Sequence, residues 1–318
     1  MMAKYTIKRL LQSVFTVLLV VTIVFLLLRM MPTDYFFTED ELIKLNDTQK
    51  HDRLQAAGML DAPLVQLGRF YESLFTRGDL GVSRRIQKNV PVVQLIAGKF
   101  SISMRLGLIA LSIALSIGVS LGVLQARYKD GLFDHIGTAY TVFVNAVPHL
   151  VSFSLILALG ARVLGLPSMY SARKPDISSV LPIVCLAMTS IAGYMLWTRR
   201  YMVDELNKDY IRLAKLKGLS TRSVMYRHVL KNAFVPLAQY LPYSILLTVG
   251  GSLLVERFFS VPGMGPMLTD AISRYDTNVV QGVVILYASL GILGVFIGDV
   301  LMTLIDPRIR LTSKGETR

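Results

Sequence analysis

Residues 209–220 read DYIRLAKLKGLS and form the centre of a polar stretch between two long apolar runs. From Arg199 to Lys231 there are nine Lys or Arg residues and three Asp or Glu residues. A basic stretch between apolar runs is typical of a membrane protein that exposes a connection to water. We call residues 199–236 the central segment, and we expect it to bind a soluble partner.

The composition excludes an ordinary soluble domain. The chain has 318 residues, 53% of them hydrophobic and 17% charged, and its mean hydropathy is +0.52. Its net charge of +13 comes from basic residues at the ends of apolar runs, which favours membrane orientation signals over binding of nucleic acid. The single cysteine, Cys185, excludes a disulfide within the chain and a cysteine-based metal site.

Six windows of the sequence lack Asp, Glu, Lys and Arg, and each approaches or exceeds the ~20 residues that cross a bilayer as a helix. They are residues 10–28, 106–126, 136–161, 177–198, 232–255 and 277–298. Helix is required because lipid offers no partner for backbone polar groups. Buried helices of a soluble protein are the alternative, which six windows in one chain disfavour. The sequence predicts an all-α integral membrane fold with six transmembrane helices.

The distribution of Lys and Arg predicts the orientation. The N-terminal tail, the connection after the second window, the central segment and the C-terminal tail together carry 18 of these residues. The two short connections on the other side carry three and two. Both termini and the central segment are therefore predicted to be cytoplasmic. We divide the chain into a tail and first span (1–31), an extracytoplasmic cap (32–100) and a five-helix core (101–318).

Helix-weakening residues interrupt several windows. Gly118, Ser120 and Gly122 suit close helix packing in the second window. Asn145 and Pro148 in the third window, and Pro236, Pro242, Gly250 and Gly251 in the fifth, favour a cavity, because broken helices in membranes line cavities or pack on neighbours. We predict a translocation path there, lined by Asn145, Tyr243 and Ser244.

The sequence contains none of the motifs that indicate an enzyme. It has no His-Glu-x-x-His pair, no Gly-x-Ser-x-Gly elbow and no phosphate-binding P-loop. We predict no catalytic residue, no metal and no cofactor in this chain, so any ATP and Mg²⁺ would be bound by partner subunits. The uncharged windows disfavour a secondary, ion-coupled carrier, which buries charged relays. A membrane scaffold without transport is a further alternative.

The central segment has the pattern of two short helices. Apolar side chains recur at helical spacing at Val203, Leu206, Tyr210 and Leu213 or Ala214. Gly218 is suited to end the first helix, and Ser220 to cap a second helix with Val224, His228 and Val229 on one side. An amphipathic hairpin on the membrane surface is the alternative.

Residues 209–220, together with RHVLKNA at 227–233 and Pro236, resemble the EAA loop of bacterial ABC importer permeases. The similarity is greatest to permeases of oligopeptide and dipeptide systems, a group that includes nickel and glutathione importers. Further matching stretches follow in order: RMMP at 29–32, LDAPL at 60–64, GDLGVS at 78–83, FSVPGMG at 259–265 and DPRIR at 306–310. Arg212 and Leu213 stand where the general motif has Glu and Ala.

The resemblance implies a type I importer built from two homologous permease subunits, two cytoplasmic ATPases and an extracytoplasmic substrate-binding protein. The residues that would couple this chain to an ATPase are Asp209, Tyr210, Arg212, Ala214, Lys217, Gly218, Ser220 and His228. Those that would contact the binding protein are Phe259, Pro262, Gly263 and Gly265. Peptides are the expected cargo, with nickel or another small solute as the alternative.

Overall fold

The computed structural model describes residues 2–31, 33–37 and 39–305, which are helical with short connections and no strand. Pro32 and the stretch 306–310 lie outside the described residues. A 3₁₀ turn spans Thr33–Phe36. The α-helices are α1 (Met2–Arg29), α2 (Glu39–Lys44), α3 (Asp47–Ala56), α4 (Pro63–Arg77), α5 (Val92–Arg127), α6 (Leu132–Ala146), α7 (His149–Val163), α8 (Pro175–Ser178), α9 (Val180–Leu206), α10 (Asp209–Leu216), α11 (Thr221–Ser223), α12 (Lys231–Val249), α13 (Leu253–Phe258), α14 (Met264–Ser273) and α15 (Thr277–Ile305).

Five stretches of helix are long and apolar enough to cross a membrane, and the bent pair α6 and α7 makes a sixth if it counts as one span. These stretches coincide with the six uncharged windows. The predicted all-α membrane fold is therefore confirmed. The second span begins earlier than the window, because α5 starts at Val92 and runs without interruption to Arg127. The predicted division at residue 100 falls inside this helix.

The third window is not one straight helix, which agrees with the helix-weakening residues Asn145 and Pro148 predicted in it. It forms α6 and α7, whose axes differ by 112°. Pro148 precedes the first residue of α7, and Val147 before it is extended, with φ −81° and ψ 130°. A residue before proline is disfavoured in the helical region, so the chain turns at this point.

The fifth window also has a break, but its prolines are not the cause. Pro236 and Pro242 lie inside α12 without ending it. The helix ends at Val249, and Gly251 has φ +99°, a conformation that favours glycine. Ser252 then accepts a hydrogen bond from the Val255 N–H and caps α13.

The chain forms two compact units, the first from residues 1–102 and 262–292 and the second from 103–261 and from 293 onward. In the first unit, α4 lies along α1. The hydroxyl of Tyr71 donates to the Leu18 carbonyl at 3.0 Å and shares a 2.8 Å hydrogen bond with Thr22, while Phe70 and Phe25 are in ring contact. The long connection thus returns along the first span, and its assignment as an extracytoplasmic cap stays a prediction.

In the first unit, a buried carboxylate binds Ser83, the last residue of the GDLGVS stretch, and the three residues that follow it. Oδ2 of Asp276, a residue that is 1% exposed, accepts a 2.6 Å hydrogen bond from the Ser83 hydroxyl. The same oxygen accepts the backbone N–H groups of residues 84, 85 and 86 at 2.9–3.1 Å. These bonds hold the 78–91 turn against the start of α15, because a buried carboxylate is costly without such partners.

In the second unit, glycines let α5 and α9 approach closely. A Cβ at Gly118 would lie 2.9 Å from the Ile191 carbonyl oxygen, and one at Gly122 would lie 2.7 Å from the Met195 carbonyl oxygen. The predicted packing role of these two glycines is confirmed. Ser120 is exposed, so its assignment to this packing face was wrong.

Candidate functional site

Helix α10 carries the first of the residues predicted to couple this chain to an ATPase, and its buried face differs from the predicted apolar stripe. Ile211 and Ala214 are 0% and 7% exposed, whereas Leu213 is 53% exposed. The helix is interrupted at Asn207 and Lys208, between α9 and α10, and the backbone of Lys208 is extended with ψ 145°. This break changes the helical phase. The prediction of a single apolar stripe that runs from Val203 into α10 was therefore wrong.

The corner after α10 has the geometry that the sequence predicts. Gly218 has φ +78°, and its N–H donates to the Lys215 carbonyl at 3.0 Å. The Leu219 N–H donates back to the Ala214 carbonyl at 3.3 Å, which completes a Schellman motif. The Ser220 hydroxyl then accepts the Ser223 N–H at 3.3 Å as an N-cap. The glycine stop and the serine cap are both confirmed.

The helix after this corner is continuous with the fifth span. Residues Thr221–Ser223 lead into a π-helical stretch, Val224–Leu230, and then into α12. In this stretch Val224, Met225 and Val229 are buried. His228, which was predicted to lie on the same side as Val224 and Val229, is half-buried.

One apolar cluster packs α10 and the helix after the corner against the ends of neighbouring helices. It consists of Val123 and Ala126 of α5, Met202 of α9, Ile211 and Ala214 of α10, and Val224, Met225, Val229 and Ala233 of the continuous helix. Every member is less than 9% exposed. A close-packed cluster resists compression, so a force on α10 is transmitted to these helices rather than absorbed.

A polar network on the other side of α10 fixes its start. The Tyr210 hydroxyl donates to the Glu205 carboxylate and accepts from the Asn232 amide at 2.7 Å, and the amide also reaches Glu205 at 3.3 Å. Burial, followed by the Glu205 hydrogen bond, raises the pKa of Tyr210 to about 12. The network ties α9, α10 and α12 together. Sequence reasoning selected Tyr210 but missed Glu205 and Asn232.

A second missed feature is an ion pair at the same end of the helices. Arg199 Nε and Nη2 donate to the two carboxylate oxygens of Asp134 at 2.5 and 2.6 Å. Asp134 is 3% exposed and also accepts the Asp130 N–H at 2.9 Å. The signal was available, because Asp134 belongs to the short connection that was predicted to lie on the same side as Arg199.

The outer surface of the motif is exposed, apolar and basic. Residues 215–222 are all exposed, and Leu216 is 84% exposed. Lys217, Gly218 and Ser220 lie in this surface, flanked by Lys215, Arg212 and Arg222. Asp209 and Arg212 form an exposed 3.7 Å ion pair on α10. We call the exposed residues between Arg212 and Arg222 the coupling surface, after the role that the resemblance predicts for this stretch.

The other predicted residues lie elsewhere. The Asn145 amide donates to the Thr141 carbonyl, and the Ser244 hydroxyl shares a 2.7 Å hydrogen bond with Tyr194, while Tyr243 packs against Gly294. These contacts do not bring the three into one site. Phe259, Gly263 and Gly265 are buried and Pro262 is half-buried, so little of that stretch offers contact surface. Its role toward a binding protein stays a prediction.

Within the described residues, no group of three or more His, Cys, Asp or Glu side chains is placed to hold a metal ion. An exposed surface is joined through a packed cluster and two polar links to the ends of several apolar helices.

Comparison with known proteins identifies the family. The family described as binding-protein-dependent transport system inner membrane component matches residues 118–311. The dipeptide transport system permease proteins DppB of Lactococcus lactis and of Bacillus subtilis are 33% and 32% identical, over 98% and 99% of this chain and all of theirs. The oligopeptide permease protein AmiC of Streptococcus pneumoniae is 36% identical over 66% of this chain, which spans only 42% of AmiC. The chain is thus a non-catalytic, multi-pass membrane component, and it belongs to the binding-protein-dependent transport system inner membrane component family.

Proposed function

We propose that this chain is the permease subunit of an ATP-driven importer and that its coupling surface docks on a cytoplasmic ATPase. The observation that carries the proposal is the exposed Gly218 corner, whose neighbours on the buried side belong to the apolar cluster. An exposed Leu216 between basic residues suits a partner that offers an apolar groove with an acidic rim. ATP and Mg²⁺ belong to that partner.

The seating of α10 supports a role in transmitting force. To move a two-state transporter from 1:99 to 99:1 takes about 5.5 kcal/mol of differential binding. A flexible connector would dissipate such energy. The apolar cluster, the Tyr210 network and the Asp134–Arg199 pair instead tie the coupling surface to α5, α6, α9 and α12.

The cargo that we propose is peptide. The support is that relatives matching nearly the whole chain are named dipeptide and oligopeptide permease proteins. The importer would comprise a second, homologous permease, two ATPases and an extracytoplasmic binding protein that delivers the cargo.

Co-purification tests this assembly. The tagged chain, expressed with the products of neighbouring genes and extracted in mild detergent, is expected to elute with a second permease and two ATPase copies. ATPase activity that rises when a loaded binding protein is added would support the proposal. A chain that elutes alone and transports solute on an ion gradient would contradict it.

Orientation is a separate part of the proposal. With both termini and the coupling surface in the cytoplasm, Ser220→Cys in a Cys185→Ala background is expected to react with an impermeant thiol reagent only from the cytoplasmic side. Thr48→Cys, at an exposed position of α3 in the long connection, serves as the control and is expected to react only from outside. The reverse pattern would contradict the assigned topology.

A further inference from the structure

A cavity of about 310 Å³ lies within the second unit, where three apolar spans meet. Its walls come from the start of α7, the middle of α9 and the break between α12 and α13. The polar side chains that line it are His149, Thr189, Ser190, Thr248 and Ser252. These residues lie in segments that are otherwise suited to lipid, where an unmatched polar group is costly.

The polar groups in the walls have hydrogen-bonding capacity left. Nδ1 of His149 is buried without a hydrogen-bond partner among the described residues. The Thr248 hydroxyl donates to the Ser244 carbonyl at 2.8 Å and keeps its lone pairs as acceptors. The Ser252 oxygen accepts the Val255 N–H at 3.5 Å and keeps its proton to donate. The cavity therefore offers both donors and acceptors.

The helix breaks within the third and fifth windows both border this cavity. His149 immediately follows the bend at Pro148, and Gly251 and Ser252 form the break after α12. Irregular backbone at membrane depth is tolerated where it is buried in protein or lines a polar cavity. Two breaks that converge on one cavity with polar side chains among its mostly apolar walls indicate a binding site rather than a packing defect.

We propose that this cavity is a transit site, in which hydrogen bonds from His149, Ser190 and their neighbours hold a short stretch of peptide backbone. The proposal rests on the proposed function. Backbone amides present one N–H and one C=O per residue, which matches neutral groups that donate and accept. None of the described residues lining the cavity is Lys, Arg, Asp or Glu, so cargo side chains of either charge are not selected here.

The volume agrees with this assignment. Ligand pockets are typically about 300–1,000 Å³, and this cavity lies at the lower end of that range. It would hold one or two residues of a peptide rather than a whole oligopeptide. A site of this kind binds weakly and without regard to sequence, as a step along a path requires.

Cysteine labelling at position 190 provides a direct test, because Ser190 lines the cavity and is half-buried, whereas Cys185, the single cysteine of the chain, is fully buried. The assembled importer with Ser190→Cys in a Cys185→Ala background, together with its binding protein, is treated with a small hydrophilic methanethiosulfonate reagent in each nucleotide state. We expect the Ser190→Cys variant to react in at least one state and saturating trialanine to slow that reaction. The Cys185→Ala background alone provides the control for labelling elsewhere. A Ser190→Cys variant that never reacts, or reacts equally fast with trialanine, would overturn the proposal.

Removal of single hydroxyls provides the second test. Loss of one hydrogen bond of about 1 kcal/mol lowers the kcat/KM of trialanine uptake about fivefold, which we expect for Ser190→Ala and for Thr189→Val. Ser154→Ala is the matched control, because Ser154 is exposed on α7 and its hydroxyl only donates to the Leu150 carbonyl. Normal uptake in both cavity variants would overturn the cavity assignment alone. A wild-type importer that takes up no trialanine would contradict the proposed cargo, and the peptide assignment of the cavity with it.

Discussion

Tyr210 shows how one side chain can fix the start of the coupling motif. Its hydroxyl joins a carboxylate at the end of α9 to an amide at the start of α12, so three elements share one polar contact. The helical spacing of the sequence predicted that Tyr210 belongs to an apolar stripe. Its ring is instead partly exposed, and its hydroxyl makes the hydrogen bonds that join the three helices. A partner five residues back and another 22 residues on cannot be found from periodicity, because neither lies on the same helix.

We expect Tyr210→Phe to lower the free energy of unfolding by about 1 kcal/mol, because two hydrogen bonds to its hydroxyl are lost. The effect depends on pH. Since folding raises the pKa of Tyr210 from 10.0 to about 12, its contribution is complete below pH 10 and is lost as the pH rises toward 12.

Thermal unfolding of the purified complex in detergent, compared at pH 8 and pH 11, measures this difference. Tyr128→Phe serves as the control, since Tyr128 is a similarly exposed tyrosine outside the network. A Tyr210→Phe deficit that is the same at both pH values would contradict the assigned hydrogen bonds.

At the scale of elements, helix boundaries were predictable where a local residue sets them. Gly218, Ser220 and Pro148 act through their own backbone conformation, and each ends or begins a helix as expected. The break at Asn207 and the π-helical stretch were not predictable, because tertiary packing of Ile211, Val224 and Val229 decides them. Periodicity assumes one uninterrupted helix, and both features change its phase.

The Asp134–Arg199 ion pair, which joins α6 and α9, provides a second prediction. Asp134→Asn removes the charge that pairs with Arg199, whose side chain is 27% exposed. We expect this variant to lose about 3 kcal/mol of unfolding free energy, because breaking a buried ion pair leaves one charge uncompensated. Asp176→Asn is the matched control. Its ion pair with Arg105 is exposed, and such pairs contribute about 0–1 kcal/mol.

Melting temperatures of the two variants in the same detergent distinguish these cases. A large drop for Asp134→Asn with little change for Asp176→Asn supports the pair as a structural link. Equal melting temperatures for the wild type and Asp134→Asn would contradict it.

For the whole molecule, composition and charge predicted more than any motif. Uncharged windows located the spans, whereas the orientation indicated by the clustering of Lys and Arg stays a prediction. The residues that line a cavity were harder to predict, because nothing in a uniformly apolar window shows which helix face meets a cavity. His149, Ser190 and Thr248 line one because two breaks converge there, which is a property of the assembled helices.

The central claim is that the Gly218 corner couples ATP hydrolysis to transport. Gly218 has φ +78° and Gly165 has φ +64°, and a Cβ at either position meets no atom within 4 Å. Valine at either site therefore introduces comparable backbone strain, of about 1–2 kcal/mol, without a steric clash. Only Gly218 lies in the coupling surface.

The decisive measurement is the ATPase rate of the reconstituted importer with and without its loaded binding protein, for Gly218→Val and Gly165→Val side by side. The account predicts that stimulation by the binding protein is lost in Gly218→Val, with normal insertion in the membrane, and is retained in Gly165→Val. Full stimulation in Gly218→Val, or its loss in both variants alike, would contradict the account.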